Sequence, residues 1–334
     1  MGAETLVVYV PNGKDGPVRY ALNSIGLKSG THPPVNYHAY AACVGGVFTN
    51  RWDADVLGST NVLLIITSQV EEALLTAVKL KALGKKIFVT FKETGFLQIA
   101  LQLQNKRNLE FFRKLMDQVD GVICPVPALQ SFFDSYKLTR PNLKIQFIPT
   151  PYPVDHSSMR LRRDYQNRQG IFLGTREFFK PARNHFLGLE IAFQLSEATA
   201  EPVTLIFKDG WQGRRLLKKF NWKAGQLRLL ERTSSYGEFL DLLSKHKLVV
   251  QWDQSLVPGQ IAGDCLLTST PCLGGNGAID GLTHDKLWSG SWTQYGFELL
   301  TNEAAWQNHS HQLERVAQGV SFGTIGKQLR EFLG

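Results

Sequence analysis

LVVQWDQSLVPGQIAGDCLLTSTPCLGGNGAIDG, residues 248–281, is the stretch of sequence that decides the fold. Its opening, Leu248–Val250, is short, apolar and rich in β-branched residues, which predicts a buried strand. Helical spacing follows over residues 260–269, and Pro271 ends it because proline lacks a donor and restricts the residue before it. Cys272–Leu273 predicts a second strand. Strand, loop, helix and strand in this order form one βαβ unit of a parallel sheet.

Length and composition describe an ordinary globular protein of about two domains. The chain has 334 residues, 43% hydrophobic and 20% charged. Its longest apolar run, residues 62–66, is too short to span a bilayer, and the opening MGAETLVVYV does not resemble a signal peptide. The four cysteines form no CxxC pair, which predicts a reducing, cytoplasmic compartment and no zinc site. The net charge of +8 is spread along the chain, which favours anionic ligands and predicts no nucleic-acid partner.

The N-terminal half alternates strand and helix patterns with no hairpin signal between strands, which predicts a parallel, doubly wound sheet. The predicted strands are residues 6–10, 62–67, 85–91, 121–124 and 143–148, and the predicted helices are residues 71–83, 96–118 and 127–136. Three prolines between residues 149 and 153 then stiffen a connection into a basic, polar stretch. We expect the first domain to comprise residues 1–150 and to end at this connection.

The C-terminal half repeats the same alternation. Its predicted strands are residues 171–173, 203–207, 227–230, 248–250 and 272–273, and its predicted helices are residues 182–198, 236–245 and 260–269. Residues 208–210 predict a turn, and the mostly helical tail, residues 304–332, is interrupted by the glycines of residues 319–326. We expect a second domain over residues 151–310 and a helical tail over residues 311–334 that can cross back to the first. The predicted fold class is α/β, with two Rossmann-like, doubly wound domains facing a central cleft.

Five segments carry a resemblance to a known family. They are IPTPYPVD (148–155), GIFLGTREFFK (170–180), LIFKDG (205–210), RLLERTSSYGEFLDLLSKHKLVV (228–250) and DCLLTSTPCL (264–273). In this order they resemble the retaining family-four group 1 glycosyltransferases, and the two domains resemble the GT-B fold of nucleotide-sugar glycosyltransferases. Two departures stand out: Arg176 lies one place later than the family's arginine, and Leu256 occupies the first of two acidic positions, the second being Asp264.

The resemblance implies an enzyme that transfers a sugar from a nucleoside-diphosphate donor to a saccharide or lipid-linked acceptor, with retained configuration and no metal or other cofactor. Such an activity belongs to polysaccharide biosynthesis. Arg176 and Lys180 are the implied catalytic residues, because fixed cations stabilise the leaving diphosphate. The implied donor-binding residues are Gly174, Lys208, Glu231, Pro258, Gly259, Gln260 and Asp264. Roles without a ligand stay open for the same residues. Arg176 and Lys180 can belong to a solvated basic loop, the glycines can serve turn or helix packing, and Asp264 can be a solvent-facing helix carboxylate.

Residues of the N-terminal half supply the predicted acceptor side. Asn12 and Gly13 lie in the loop after the first strand, where no P-loop is present because neither serine nor threonine follows Lys14. Lys92 and Glu93 end the strand of residues 85–91, and Glu93 is either an acceptor-orienting group or a surface carboxylate. Residues 106–114 mix aromatic and basic side chains, which fits equally an interfacial helix in peripheral contact with a membrane and a core face with a charged rim.

Two rival functions remain. Leu256 at an expected acidic position favours a catalytically inactive GT-B-like partner or scaffold protein. A two-lobed solute-binding protein is the other rival, and the lack of an export signal argues against it. His309 and His311 alternate along the tail, which suits no helical metal site and predicts two surface histidines.

Overall fold

The computed structural model describes residues 6–22, 25–26, 32–174, 179, 184–207, 210–230, 235–253, 255–256, 261–274, 279–288 and 290–334. These residues group into two compact units. The first contains the described residues up to Asp155 together with Leu256 and Val320–Gly334. The second contains the described residues from His156 to Ser255 and from residue 261 to Gly319.

The first unit is built on one sheet. Its described strands are β1 (Leu6–Tyr9), β2 (Val18–Arg19), β3 (Val47–Thr49), β4 (Asn61–Ile66), β5 (Lys86–Phe91), β6 (Gly121–Cys124) and β7 (Lys144–Phe147). They lie in the order β2-β3-β1-β4-β5-β6-β7. Neighbouring strands are parallel, except that β2 runs antiparallel to β3 at one edge. All six residues of β4 are buried, as expected for a central strand covered on both faces.

Helices of the first unit connect these strands. They are α1 (His38–Ala42), α2 (Ala54–Gly58), α3 (Val70–Ala82), α4 (Phe96–Leu103), α5 (Lys106–Gln118) and α6 (Pro127–Asp134), the last followed by a 3-10 turn at Ser135–Leu138. The long helical region predicted over residues 96–118 consists of two helices, α4 and α5. Asn105 adopts extended backbone between α4 and α5, and its side chain accepts a hydrogen bond from the Arg107 amide, so a new helix begins there.

The second unit is built on a parallel sheet. Its described strands are β8 (Ile171–Leu173), β9 (Val203–Ile206), β10 (Leu227–Leu230), β11 (Leu248–Val250) and β12 (Cys272–Leu273), in the order β10-β9-β8-β11-β12. Its described helices are α7 (His185–Thr199), α8 (Gly210–Leu217), α9 (Tyr236–Ser244), α10 (Ile261–Thr268), α11 (Trp292–Thr301) and α12 (Glu303–Ala317). Helices α8 and α11 were not predicted. Gly210 begins α8, whereas the sequence predicted a turn there.

The last helix, α13 (Phe322–Leu333), belongs to the first unit. The Tyr152 amide donates to the Val320 carbonyl at 2.8 Å, and the Phe322 amide donates to the Tyr152 carbonyl at 3.1 Å. The ring of Phe332 packs 5.2 Å from that of Phe88. The prediction that residues 319–326 interrupt the helical tail is wrong at its end, because α13 continues through Gly323 and Gly326.

Both units are Rossmann-like α/β layers, so the predicted fold class, two such domains in one chain, is confirmed. Each sheet has a point at which its winding direction reverses, between β1 and β4 in the first and between β8 and β11 in the second. Such switch points open crevices at the carboxyl ends of the strands, and ligands of α/β sheets bind there. Among the helices that the structure describes, none is both long and apolar enough to cross a bilayer.

Candidate functional site

Gly174 lies at the switch point of the second sheet, directly after β8. Its amide donates to the Val250 carbonyl at the end of β11, at 2.8 Å. A Cβ atom on Gly174 would lie 2.8 Å from Ile261 Cγ2, closer than real Cβ atoms approach, and 3.1 Å from Gln251 Cβ, tighter than most such contacts. A glycine is therefore needed for the start of α10 to lie against the carboxyl ends of β8 and β11. This contact brings the N-terminus of α10 to the edge where the donor site was predicted, and the backbone amides of helix N-termini bind anions.

Asp264 lies in the first turn of α10 and is 6% exposed, so the solvent-facing alternative is wrong. The Tyr236 hydroxyl donates to its Oδ1 at 2.6 Å. Burial raises the pKa of the Asp264 carboxyl to about 7, although the hydrogen bond from Tyr236 lowers it in part. A buried carboxyl group that titrates near neutrality is a common feature of functional sites. Tyr236 was not among the predicted site residues.

The segment after β11 carries a buried carboxylate and a strained backbone. Asp253 is 2% exposed, and its Oδ1 accepts a hydrogen bond from the Ser255 amide at 2.7 Å. Leu256 has a φ of +52°, in the left-handed region that residues with a Cβ rarely adopt. Its carbonyl accepts a hydrogen bond from the buried Thr94 hydroxyl, within the first unit. Strain of this kind is found most often at functional segments, although the sequence analysis did not single out Asp253 or Thr94.

Most of the predicted donor residues lie outside the described residues. They are Arg176, Lys180, Lys208, Glu231, Pro258, Gly259 and Gln260. The described strands fix where these segments start. Residue 176 follows β8, residue 208 follows β9, residue 231 follows β10 and residues 258–260 precede α10. All four segments therefore leave from the carboxyl ends of strands in one parallel sheet, the same edge on which Gly174 lies.

The predicted acceptor residues lie at the corresponding edge of the first sheet. The Asn12 side-chain amide donates to Gln69 Oε1 at 2.9 Å, which joins the loop after β1 to the loop after β4 across the switch point. The Gly13 carbonyl accepts a hydrogen bond from the Asn50 side chain at 2.7 Å. This loop therefore lies at the crevice of the first sheet, but it joins β1 to the short strand β2, so the interpretation of it as a βα loop is wrong.

Lys92 and Glu93 follow β5 at the same edge. Lys92 is exposed, and its Nζ lies 5.8 Å from the centre of the Tyr37 ring. The Tyr37 hydroxyl donates to Asp15 Oδ2 at 3.2 Å, in the loop after β1. Glu93 is half-buried. Sequence reasoning missed Tyr37 and Asp15, because neither belongs to a recognised motif and α1 was not predicted.

Helix α5 is a core helix with a charged rim, as the packing of its aromatic residues shows. Phe112 is fully buried and packs 5.5 Å from the Phe91 ring. The Arg107 guanidinium covers the Phe111 ring at 5.2 Å and binds Glu71 at 2.9 Å. Exposed apolar side chains lie instead on the preceding helix, α4: Phe96, Leu97 and Leu101, each at least half exposed.

His309 corrects a second sequence-based expectation. It is 2% exposed, whereas His311 is exposed as predicted. The hydroxyl of Tyr295 lies 2.6 Å from His309 Nδ1, and the His284 ring stacks against it with ring centres 6.2 Å apart. Burial lowers the pKa of His309 to about 3, so it is a neutral core residue of the second unit.

Comparison with known proteins gives a likeness in structure alone. No family model matches the chain, and no curated protein matches it. Among solved structures, a UDP-forming α,α-trehalose-phosphate synthase from Burkholderia xenovorans in complex with glucose-6-phosphate aligns with a TM-score of 0.58 and 12% identity, over 82% of this chain and 74% of that one. A second structure of a UDP-forming α,α-trehalose-phosphate synthase from that organism aligns with a TM-score of 0.59 and 11% identity, over 99% of each chain.

The pneumococcal O-GlcNAc transferase GtfA, in complex with UDP and GlcNAc, is also similar. It aligns with a TM-score of 0.52 and 12% identity, over 81% of this chain and 57% of that one. These neighbours are GT-B glycosyltransferases. At such low identities the likeness shows the fold, and the two Rossmann-like units of this chain are therefore of the GT-B class.

Proposed function

We propose that the protein is a glycosyltransferase that transfers a sugar from a nucleoside-diphosphate sugar to a saccharide or lipid-linked acceptor, with retained configuration. The observation that carries this proposal is the packing of Gly174 against the first residue of α10 at the switch point of the second sheet. The shared fold supports it, because solved neighbours include a UDP-forming synthase and a transferase with UDP bound. UDP-sugars are therefore the first donors to test.

The proposed chemistry is departure of a nucleoside diphosphate. Negative charge develops on the leaving phosphate oxygens, and fixed cations or helix-terminal amides lower the barrier by up to about 3 kcal/mol per donor. We assign the cations to Arg176 and Lys180, on the segment that joins β8 to α7, with no metal ion taking part. Asp264, in the first turn of α10, receives the ribose hydroxyls in this proposal. The other donor contacts come from Lys208, Glu231 and residues 258–260, as the resemblance implies.

Release of nucleoside diphosphate from a panel of UDP-, GDP- and ADP-sugars, measured with and without saccharide acceptors, tests the proposal. We expect turnover with one donor class and a loss of at least about tenfold on Arg176→Ala or Lys180→Ala. Lys219→Ala is the matched control, because Lys219 is an exposed lysine beyond the end of α8. Equal rates in all three variants would contradict the assignment of these cations.

A catalytically inactive partner protein is the second candidate function, and Leu256 favours it. An apolar, left-handed residue stands where the resemblance implies an acidic one. Turnover by the purified chain alone would exclude this candidate. If the chain binds a nucleotide without turnover, and Leu256→Glu then produces turnover, the inactive form is supported. If neither the wild type nor Leu256→Glu binds a nucleotide, the transferase function is excluded.

Helix α4 supports the proposal of a lipid-linked acceptor and peripheral membrane contact. Its exposed side chains Phe96, Leu97 and Leu101 lie just before the basic Lys106 and Arg107 at the start of α5. Apolar side chains beside cations bind anionic bilayers. Co-sedimentation with vesicles containing anionic lipid should fall for the variant Leu97→Ser with Leu101→Ser. Vesicle binding that is unchanged in this variant would contradict membrane contact through α4, and the proposed acceptor would then be a saccharide only.

We also propose that the enzyme acts in the cytoplasm, at the inner face of the membrane where it contacts lipid. All four cysteines are buried and free, which supports a reducing compartment. Cell fractionation with an antibody against the chain tests this location, and recovery from an oxidising compartment would contradict it.

A further inference from the structure

Asp15, His32 and His38 form a cluster in the first unit that the proposed transfer reaction does not use. Each offers one ligand atom, and these three atoms all lie within 4.8 Å of one another. Asp15 lies in the loop after β1, His32 precedes α1, and His38 is its first residue. The cluster is thus at the carboxyl edge of the first sheet.

The His38 ring is held rigidly. Its side chain is 0% exposed and lies between two other rings, with ring centres 3.7 Å from His32 and 3.5 Å from Phe48. Its Nδ1 lies 2.9 Å from the Tyr20 hydroxyl. Its Nε2 is aimed at Asp15 Oδ2, 3.5 Å away, and makes no hydrogen bond with any part of the chain that the structure describes. A buried ring nitrogen in this state requires an explanation.

Hydrogen bonds at the outer ring nitrogens leave lone pairs at the centre of the cluster. His32 Nδ1 lies 2.7 Å from the Pro33 carbonyl, which only accepts, so the proton is on Nδ1 and the lone pair on Nε2, 3.8 Å from Asp15 Oδ2. The Tyr20 hydroxyl also reaches the His32 carbonyl at 3.4 Å. When it donates there, it accepts from His38 Nδ1, and His38 Nε2 also carries a lone pair.

In this arrangement of protons, two imidazole lone pairs and a carboxylate oxygen converge at the centre of the cluster. These are the forms in which histidine and aspartate bind transition metals. The outer contacts to the Pro33 carbonyl, the Tyr20 hydroxyl and, at Asp15, the Tyr37 hydroxyl match the second layer of hydrogen bonds that orients metal ligands.

We propose that Asp15, His32 and His38 bind a divalent transition-metal ion, with zinc the best match. Zinc takes histidine nitrogen and carboxylate oxygen at about 2.0–2.2 Å, which places tetrahedral ligand atoms about 3.3 Å apart. The distances of 3.5 and 3.8 Å from the two Nε2 atoms to Asp15 Oδ2 are close to that spacing. An ion cannot lie in the planes of two stacked rings, so binding turns the part-exposed His32 ring while His38 stays fixed. Three protein ligands leave one coordination position open.

Zinc titration of the full chain, after removal of bound metals with a chelator, tests this proposal. We expect one high-affinity zinc ion per chain by calorimetry and a raised melting temperature, since a ligand of the native state stabilises it. His32→Gln and Asp15→Asn should each weaken zinc binding by about tenfold or more. Both side chains are part-exposed, so these variants are expected to fold. The control is His311→Gln, an exposed histidine on α12.

X-ray absorption at the zinc edge separates this site from binding at the buried cysteines. The expected ligand shell contains nitrogen and oxygen only. Sulfur in the shell, zinc affinity unchanged by His32→Gln and Asp15→Asn, or no stoichiometric binding would each overturn the proposal. None of these readouts depends on sugar transfer, so failure of the proposed function leaves the metal site standing, and the reverse also holds.

Discussion

Asp264 is buried in the second unit and is also a residue of the proposed donor site. It lies at the start of α10, buried beside the Tyr236 hydroxyl. Taking a carboxylate out of water disfavours its charged form, which is why its pKa rises to about 7. The ordinary value is 3.8, so the folded chain keeps a proton between about pH 4 and pH 7 that the unfolded chain loses. Stability from this group is therefore fully present at low pH and lost as the pH rises to 7.

We predict that Asp264→Asn removes this pH dependence. An asparagine oxygen still accepts from Tyr236 but never carries charge. The wild type should lose stability relative to Asp264→Asn as the pH rises from 4 to 7. The difference in the free energy of unfolding between the variant and the wild type should therefore grow by an amount on the order of a few kcal/mol and stay constant above pH 7. Thermal unfolding of both proteins at half-unit pH steps measures it. A difference that is flat across this range would show that Asp264 titrates as an exposed carboxyl does.

Gly174 gives a second prediction at this scale. Gly174→Ala forces a Cβ against Ile261 and Gln251, so we expect a loss of about 1–3 kcal/mol in the free energy of unfolding and weaker nucleotide binding. Gly281→Ala is the control, because its Cβ would meet no atom within 4 Å. Urea unfolding of the two variants measures the difference. Equal stability would mean that the start of α10 moves away from Gly174 without cost.

Among the secondary-structure elements, several segments around the second sheet are connected by hydrogen bonds from one buried side chain, that of Arg168. It is 3% exposed and donates to the carbonyls of Arg163, His246 and Thr268 and to the Thr270 hydroxyl, at 2.8–3.1 Å. The Thr268 carbonyl lies at the C-terminal end of α10, where a cation also favours the helix dipole. Burial lowers the pKa of Arg168 only to about 10, so it stays charged near neutral pH.

We predict that Arg168→Met destabilises the chain by about 3 kcal/mol or more, because it leaves these buried acceptors unpaired. Arg163→Met is the matched control in the same segment. Arg163 bonds Asp241 at 2.8 Å, and both side chains are more than a third exposed, so its loss should change stability by about 1 kcal/mol or less. Chemical denaturation compares the two, and similar losses would contradict the role of Arg168.

Much of the fold followed from apolar periodicity, and the misses have physical causes. The strands of residues 121–124, 171–173, 227–230, 248–250 and 272–273 were predicted with the bounds observed. Strand β2 and helix α1 were missed because they are too short for a pattern to emerge. The break between α4 and α5 within the predicted helical region of residues 96–118 was missed, because a single capping residue, Asn105, leaves the apolar spacing almost unchanged.

The candidate site was less accessible from sequence. Gly174 and Asp264 were found through the family-like order of segments. Tyr236 contacts Asp264 although 28 residues separate them in the sequence, and His32 and His38 lie near Asp15 from 17 and 23 residues away. Tertiary packing makes these contacts, and no local sequence pattern predicts them.

In the whole molecule, the last helix, α13, packs in the first unit together with the N-terminal part of the chain. A Cβ on Gly326 of α13 would lie 2.4 Å from the Cys43 carbonyl oxygen, so α13 packs backbone to backbone at the end of α1. Asp155 Oδ2 also accepts from the Gly323 amide at 2.8 Å. Stability of the first unit therefore depends on residues more than 150 positions beyond its other elements.

We predict that Gly326→Ala destabilises the first unit by about 2 kcal/mol, because backbone must shift to admit the methyl group. Gly319→Ala is the control, since its Cβ would meet nothing within 4 Å. Native-state hydrogen exchange locates the effect. Exchange should quicken in β1 and β4 and stay unchanged in β8 and β9. Equal acceleration in both units would contradict separate stabilisation of the first.

We predict above all that the carboxyl edge of the second sheet binds a nucleoside diphosphate. Isothermal titration of UDP, GDP and ADP into the wild type, Arg176→Ala and Lys219→Ala tests it most directly. We expect one nucleotide to bind at one site per chain, with an affinity that Arg176→Ala weakens by about tenfold or more and that Lys219→Ala leaves unchanged. Binding of none of the three, or equal affinity in all three proteins, would contradict it.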